Sequence, residues 1–140
     1  MTSLAQVGPT TPYYTAIITL LVVAYYFFLA TRVVAARRKF GVKLPAISGH
    51  AEFERIYRVH MNMLEWLPTF LAPLWLCAIY LNDMAAAVLG LVWLCGRIVY
   101  AVGYRKTVDA RRPGFLIQSL AWLLLFVGAV VGLALHAPRL

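Results

Sequence analysis

The sequence predicts an all-α integral membrane protein, a four-helix bundle forming one domain over residues 1–140. Three observations lead there. The 140 residues are 63% hydrophobic and only 13% charged, whereas soluble domains are nearer half apolar and a quarter charged. Four long apolar runs recur along the chain, each near the length of about 20 residues that a bilayer-crossing helix requires. The basic residues gather in the first and third connections between those runs. A chain this small has too little interior to hide so much apolar surface from water. Disorder is excluded, since disordered chains are poor in apolar and aromatic residues. The net charge of +8 suggests no nucleic-acid partner, because the cations sit between apolar runs instead of forming a solvated face.

Span one covers residues 13–36. No charge occurs before Arg32, and Tyr13 to Thr31 is rich in Ile, Leu, Val, Tyr and Phe. With no basic residue preceding it and a long apolar stretch, it reads as a retained helix, not a cleaved signal peptide. The loop from Lys39 to Ala51 carries Gly41, Pro45, Ser48 and Gly49 as breakers. Span two covers residues 53–81 and tolerates Pro68 and Pro73, since neighbouring helices in lipid can satisfy the freed carbonyls. Span three covers residues 84–106 and is interrupted by one charge, Arg97. Span four covers residues 114–137 and has no charge. Cys77 and Cys95 lie inside apolar runs and read as buried thiols. His50, His60 and His136 are far apart, so no metal site is expected.

The first loop and its flanks hold seven basic residues and the third holds four, while the second holds none. This asymmetry predicts that residues 32–58 and 105–112 face the cytoplasm. The membrane would be the inner membrane of a bacterial source, or otherwise the endoplasmic reticulum.

Ionisable groups in spanning helices are expensive and usually face another helix or a watery cavity. At about 100° per residue, Arg55, Arg58, Asn62, Glu65 and Trp66 share about 100° of arc on one helix. Tyr57 and His60 point elsewhere. Tyr100 and Tyr104 fall beside Arg97, and so does Arg111 if that helix continues. An ordinary reading of these cations is snorkelling to lipid phosphates. It suits Arg97 less, and an ion pair between Arg97 and Glu65 is expected instead. As a binding face, guanidiniums suit carboxylates and Glu65 suits an ammonium. Asn62 and the tyrosines add hydroxyls, an amide and flat walls. The set fits a small zwitterion with more than one carboxylate.

The run Phe53-Glu54-Arg55-Ile56-Tyr57-Arg58-Val59-His60-Met61-Asn62-Met63-Leu64-Glu65-Trp66-Leu67-Pro68 resembles the signature of the MAPEG family, membrane-associated proteins in eicosanoid and glutathione metabolism. Ala36-Arg37-Arg38-Lys39-Phe40 resembles the family's basic end of the first helix, and Gly96-Arg97 through Arg111 the end of its third. The likeness is greatest to the branch of leukotriene C4 synthase and microsomal glutathione transferase 2. The resemblance implies a homotrimer with glutathione bound between protomers near the cytoplasmic boundary. Arg37, Arg58, Asn62, Glu65, Trp66, Arg97, Tyr100 and Tyr104 match glutathione contacts. Arg111 matches the arginine that stabilises the thiolate. Arg38, Arg55, His60 and Arg112 are further candidates. Trp66 stands where relatives often have tyrosine and His60 where they often have glutamine. Arg112 directly follows Arg111, and the loop differs by one residue.

The implied activity is a glutathione transferase acting on lipophilic electrophiles, with peroxidase action on lipid hydroperoxides as an added capacity. Glutathione has two carboxylates and one ammonium, which agrees with the chemistry of the stripe. A non-catalytic lipid-binding scaffold of the same family is the alternative. A small cation exporter would need a carboxylate in span one, which has none.

Overall fold

The computed structural model describes residues 11–137. Four helices follow in order: α1 (Tyr13–Phe40), α2 (Ala51–Tyr80), α3 (Asp83–Lys106) and α4 (Arg112–Leu135), with a short 3-10 turn at Asp109–Arg111 before the last. No strand occurs among the described residues. All four helices are long and apolar enough to cross a membrane. α1 runs to Phe40, past the end drawn from hydrophobicity, because its last turn carries Arg37, Arg38 and Lys39. Cations there complement the negative end of the helix dipole. Gly41, at φ 66°, then closes the helix in the left-handed region that glycine enters at least cost.

The chain runs up and down, so the ends of α1 and α3 and the starts of α2 and α4 share one end of the bundle. That end gathers eleven of the thirteen Lys and Arg residues. At the opposite end, Asn82 and Asp83 cap two helices. Asn82 Oδ1 accepts from Ala85 N at 2.8 Å and starts α3. Asp83 accepts from Tyr14 N and Thr15 N, both at 2.9 Å, and satisfies the start of α1. α2 is capped by His50 Nδ1, which accepts from Glu52 N at 3.2 Å.

Pro73 cannot donate to the Thr69 carbonyl one turn back. Trp122 Nε1 of α4 donates to that carbonyl at 2.8 Å, so a neighbouring helix replaces the missing bond. The tightest packing joins α3 to α4. A Cβ on Gly114 would overlap the backbone of Tyr100, and one on Gly96 would stand 2.7 Å from Gln118 N. Gly103 lies in the same way against the Ala110 carbonyl of the 3-10 turn. Small residues let helix backbones approach closely where apolar surface alone drives no association. Cys77 is buried as expected, but Cys95 is exposed. It stands next to Gly96 and Arg97, which turn into the bundle, and so points out from it.

The charge asymmetry predicts the orientation. In a background of Cys77→Ala and Cys95→Ala, Ser48→Cys should be shielded from an impermeant thiol reagent in intact cells, while Met84→Cys is labelled. Equal labelling would contradict a cytoplasmic placement of the basic loops.

Candidate functional site

Gln118 organises the polar centre. It is fully buried on α4. Its Oε1 accepts from Arg97 Nη1 at 2.8 Å. Nη1 also donates to Asn62 Oδ1 on α2 at 2.9 Å. Asn62 Nδ2 in turn donates to Glu65 Oε2 at 3.2 Å. The ion pair expected between Arg97 and Glu65 is therefore replaced by a relay through the Asn62 amide. Arg97, 1% exposed, is held by two neutral oxygens and lies over the Tyr100 ring at 4.8 Å. Its two acceptors come from α2 and α4, so Arg97 ties three helices at one level.

The relay fixes the amide of Asn62. With its oxygen committed to a guanidinium, its nitrogen must face Glu65. Glu65 itself is exposed and keeps an oxygen free for a further donor.

Outward from this centre lies a groove of about 390 Å³, lined by Asn62, Tyr100, Asp109, Arg111, Arg112, Phe115 and Leu116. Its size is that of a small-molecule site. α3 ends at Lys106, so Arg111 does not reach the groove along a continued helix, as the angular reading had it. The 3-10 turn brings it back, and Arg111 lies over the Tyr104 ring at 5.3 Å. Tyr104 packs against Tyr100 with ring centres 5.7 Å apart. Arg112 pairs with Asp109 at 2.9 Å on the exposed side of the turn. Beyond Phe115 the wall becomes aromatic: Trp66 meets Phe115 and Trp122 edge-on, each at 6.2 Å. One groove thus joins guanidiniums, an amide and a phenol to an apolar wall running along α2 and α4.

The MAPEG family profile matches residues 15–131 of this chain. The chain belongs to the MAPEG family. An uncharacterized protein of Synechocystis is 46% identical over 118 residues, which are 84% of this chain and 86% of that protein. Bovine leukotriene C4 synthase is 41% identical over 105 residues, 75% of this chain and 70% of the enzyme. Mouse microsomal glutathione S-transferase 2 is also 41% identical over 105 residues, 75% of this chain and 71% of that protein. With its four apolar helices, this MAPEG chain is an integral membrane protein.

Within one MAPEG chain, Asn62, Glu65, Arg97, Tyr100, Tyr104, Arg111 and Arg112 come together, with Trp66 beside them. Arg58 shares the α2 face of Asn62 and is exposed. The remaining candidates lie elsewhere. Arg37 donates to the Ala46 carbonyl at 2.6 Å and covers the Phe53 ring at 4.8 Å, pinning the first loop against α2. Arg38 is exposed near it. His60 stacks on Tyr26 of α1, with ring centres 4.9 Å apart. Arg55 lines a different cavity with Arg105 and Lys106. It leaves the Asn62 stripe because the start of α2 faces the end of α3. Gln118 lies outside the stripes that helical periodicity and the family resemblance define. Its signal was an amide in a charge-free span, the kind of polar group that a membrane helix keeps only with a partner.

Proposed function

We propose that this protein is a membrane glutathione transferase that ionises the glutathione thiol for attack on lipophilic electrophiles. The observation that carries the reading is the groove where the Gln118–Arg97–Asn62–Glu65 relay, Tyr100 and Arg111 meet an aromatic wall. The family relationship to leukotriene C4 synthase and microsomal glutathione S-transferase 2 supports the same reading. Glu65 receives the ammonium of the tripeptide, and Arg58 takes a carboxylate by the parallel donation that guanidinium allows. Arg97 acts from behind, holding Asn62 in the orientation that presents Glu65.

A free thiol has a pKa of about 8.5, so little thiolate exists at neutral pH. A guanidinium beside the sulfur favours the charged form. Arg111 supplies it, and Tyr104 under its guanidinium restrains its position. The thiolate then attacks an electrophile that slides along the Phe115–Trp66–Trp122 wall from the bilayer. The new carbon–sulfur bond forms as the leaving group departs or an epoxide opens, and the alkoxide takes a proton from water. Positioning and electrostatic stabilisation of sulfur are the protein's contributions. With a lipid hydroperoxide the same thiolate attacks the terminal peroxide oxygen. The lipid leaves as its alcohol, and a second glutathione reduces the sulfenic acid so formed.

Arg37, Arg38 and His60 lie on the α1 side, away from the groove. If they contact the same tripeptide, they do so from a neighbouring copy, which is the reading that the homotrimer gives them.

The binding face is tested by calorimetry. Glu65→Gln and Arg58→Ala each remove one partner of a charge-assisted hydrogen bond, a loss of about 1.5–3 kcal/mol. Glutathione affinity should fall at least about tenfold in each variant. Unchanged affinity in both would remove glutathione from this face.

A further inference from the structure

A second cavity system lies between α1 and α3, on the side away from the α2–α4 groove. α1 packs on α2 and α3 but makes no contact with α4 among the described residues. The lower part is an apolar cleft of about 250 Å³ whose walls include Tyr25, Phe28, Leu29, Val59, Ile98 and Ala101. Arg32 and Arg105 stand at its mouth. Adjoining it through Ile56, Val102 and Arg105 is a polar cavity of about 410 Å³ that adds Arg55 and Lys106. Only one carboxylate, Glu52, lies among these cations. None of them belongs to an ion pair; among the described residues the one pair is Arg112–Asp109. Arg55 Nε is closed off from solvent without a hydrogen-bond partner. The rest of the Arg55 guanidinium lines the cavity without a carboxylate paired to it.

We propose that this cleft binds an anionic phospholipid. Its phosphate lies among Arg32, Arg55 and Arg105, and one acyl chain lies along Phe28, Leu29 and Ile98. The proposal does not depend on the transferase reading and uses the opposite side of the bundle.

A cationic rim directly above an apolar cleft, at the end of spanning helices, matches a molecule with an anionic head and an apolar tail. Basic pockets between spanning helices hold lipid headgroups by this complementarity. A free anion would use the rim and leave the cleft unfilled.

Native mass spectrometry of the full chain tests this, after equilibration in micelles with equal dioleoyl phosphatidylglycerol and dioleoyl phosphatidylcholine. The wild type should retain phosphatidylglycerol over phosphatidylcholine by about fivefold or more, the effect of one basic residue at an anionic headgroup. Arg32→Gln and Arg105→Gln should each cut that preference by about fivefold, whereas Lys43→Gln, which removes the same charge outside the cleft, should keep it. Val102→Trp alters no charge. Val102 is 52% exposed at the cleft wall, so tryptophan there should fill the cleft and reduce retention of both lipids. Equal retention of the two lipids by the wild type would overturn the proposal. So would equal losses in Lys43→Gln and Arg105→Gln, or displacement of the bound lipid by soluble glycerol phosphate. Dissociation of the oligomer by Val102→Trp would assign the cleft to a second copy and overturn it too.

Discussion

Arg111→Ala is expected to lower kcat by roughly a hundred- to a thousandfold, the usual loss when one preorganised electrostatic stabiliser is removed. Glutathione affinity should fall much less, since Arg58, Asn62 and Glu65 hold the tripeptide's ends. The ultraviolet absorbance of the bound thiolate, present at neutral pH in the wild type, should disappear as the thiol's pKa rises. Arg112→Ala is the control. Its guanidinium is engaged with Asp109 at 2.9 Å on the open side of the turn, and its loss should change kcat little. Loss of the thiolate band in Arg112→Ala with retention in Arg111→Ala would move the role by one residue. Full activity in both variants would leave neither arginine at the sulfur and would overturn the assignment.

Gly114→Val should have the largest structural effect of any single change near the groove. A Cβ at this position would overlap Tyr100 N and Cα, which belong to the backbone of α3 and cannot rotate aside. α4 must therefore move away from α3. Overpacking of this kind costs about 1–3 kcal/mol, and more where backbone must shift. The displacement also draws Gln118 away from Arg97 and Arg111 away from Tyr104. The expected outcome is a lowered melting temperature in detergent and loss of glutathione binding. A variant with unchanged melting and binding would show that the close approach at Gly114 does not set the groove.

The four helices were legible because bilayer-length apolar runs separated by charged loops admit few other structures. The α2 stripe was legible in part, since 3.6-residue periodicity places Asn62 and Glu65 on one face. Periodicity gives the direction a side chain leaves its own helix, but not which neighbour it meets. Arg97 therefore could not be matched to its acceptors. The nearest acid in the stripe was Glu65, while the actual acceptors are the neutral oxygens of Asn62 and Gln118. Arg55 shares the angular face of Asn62, yet it opens into another cavity, because helix crossing changes which neighbour the face meets along its length. Arg37 carries the same charge as its neighbours, and only the folded loop shows that Ala46 and Phe53 hold it. Arg111 reaches Tyr104 through a turn that breaks the helical count.

The central claim is that the α2–α4 groove makes this MAPEG protein a glutathione transferase, in contrast to a lipid-binding scaffold of the same fold. It is tested most directly by steady-state conjugation of glutathione to 1-chloro-2,4-dinitrobenzene, and to a lipophilic epoxide, by the purified protein in micelles. The account predicts saturable turnover that falls roughly a hundred- to a thousandfold with Arg111→Ala and weakens through KM with Glu65→Gln. Glutathione binding with no turnover of either electrophile, or of a lipid hydroperoxide, would contradict it and leave the scaffold.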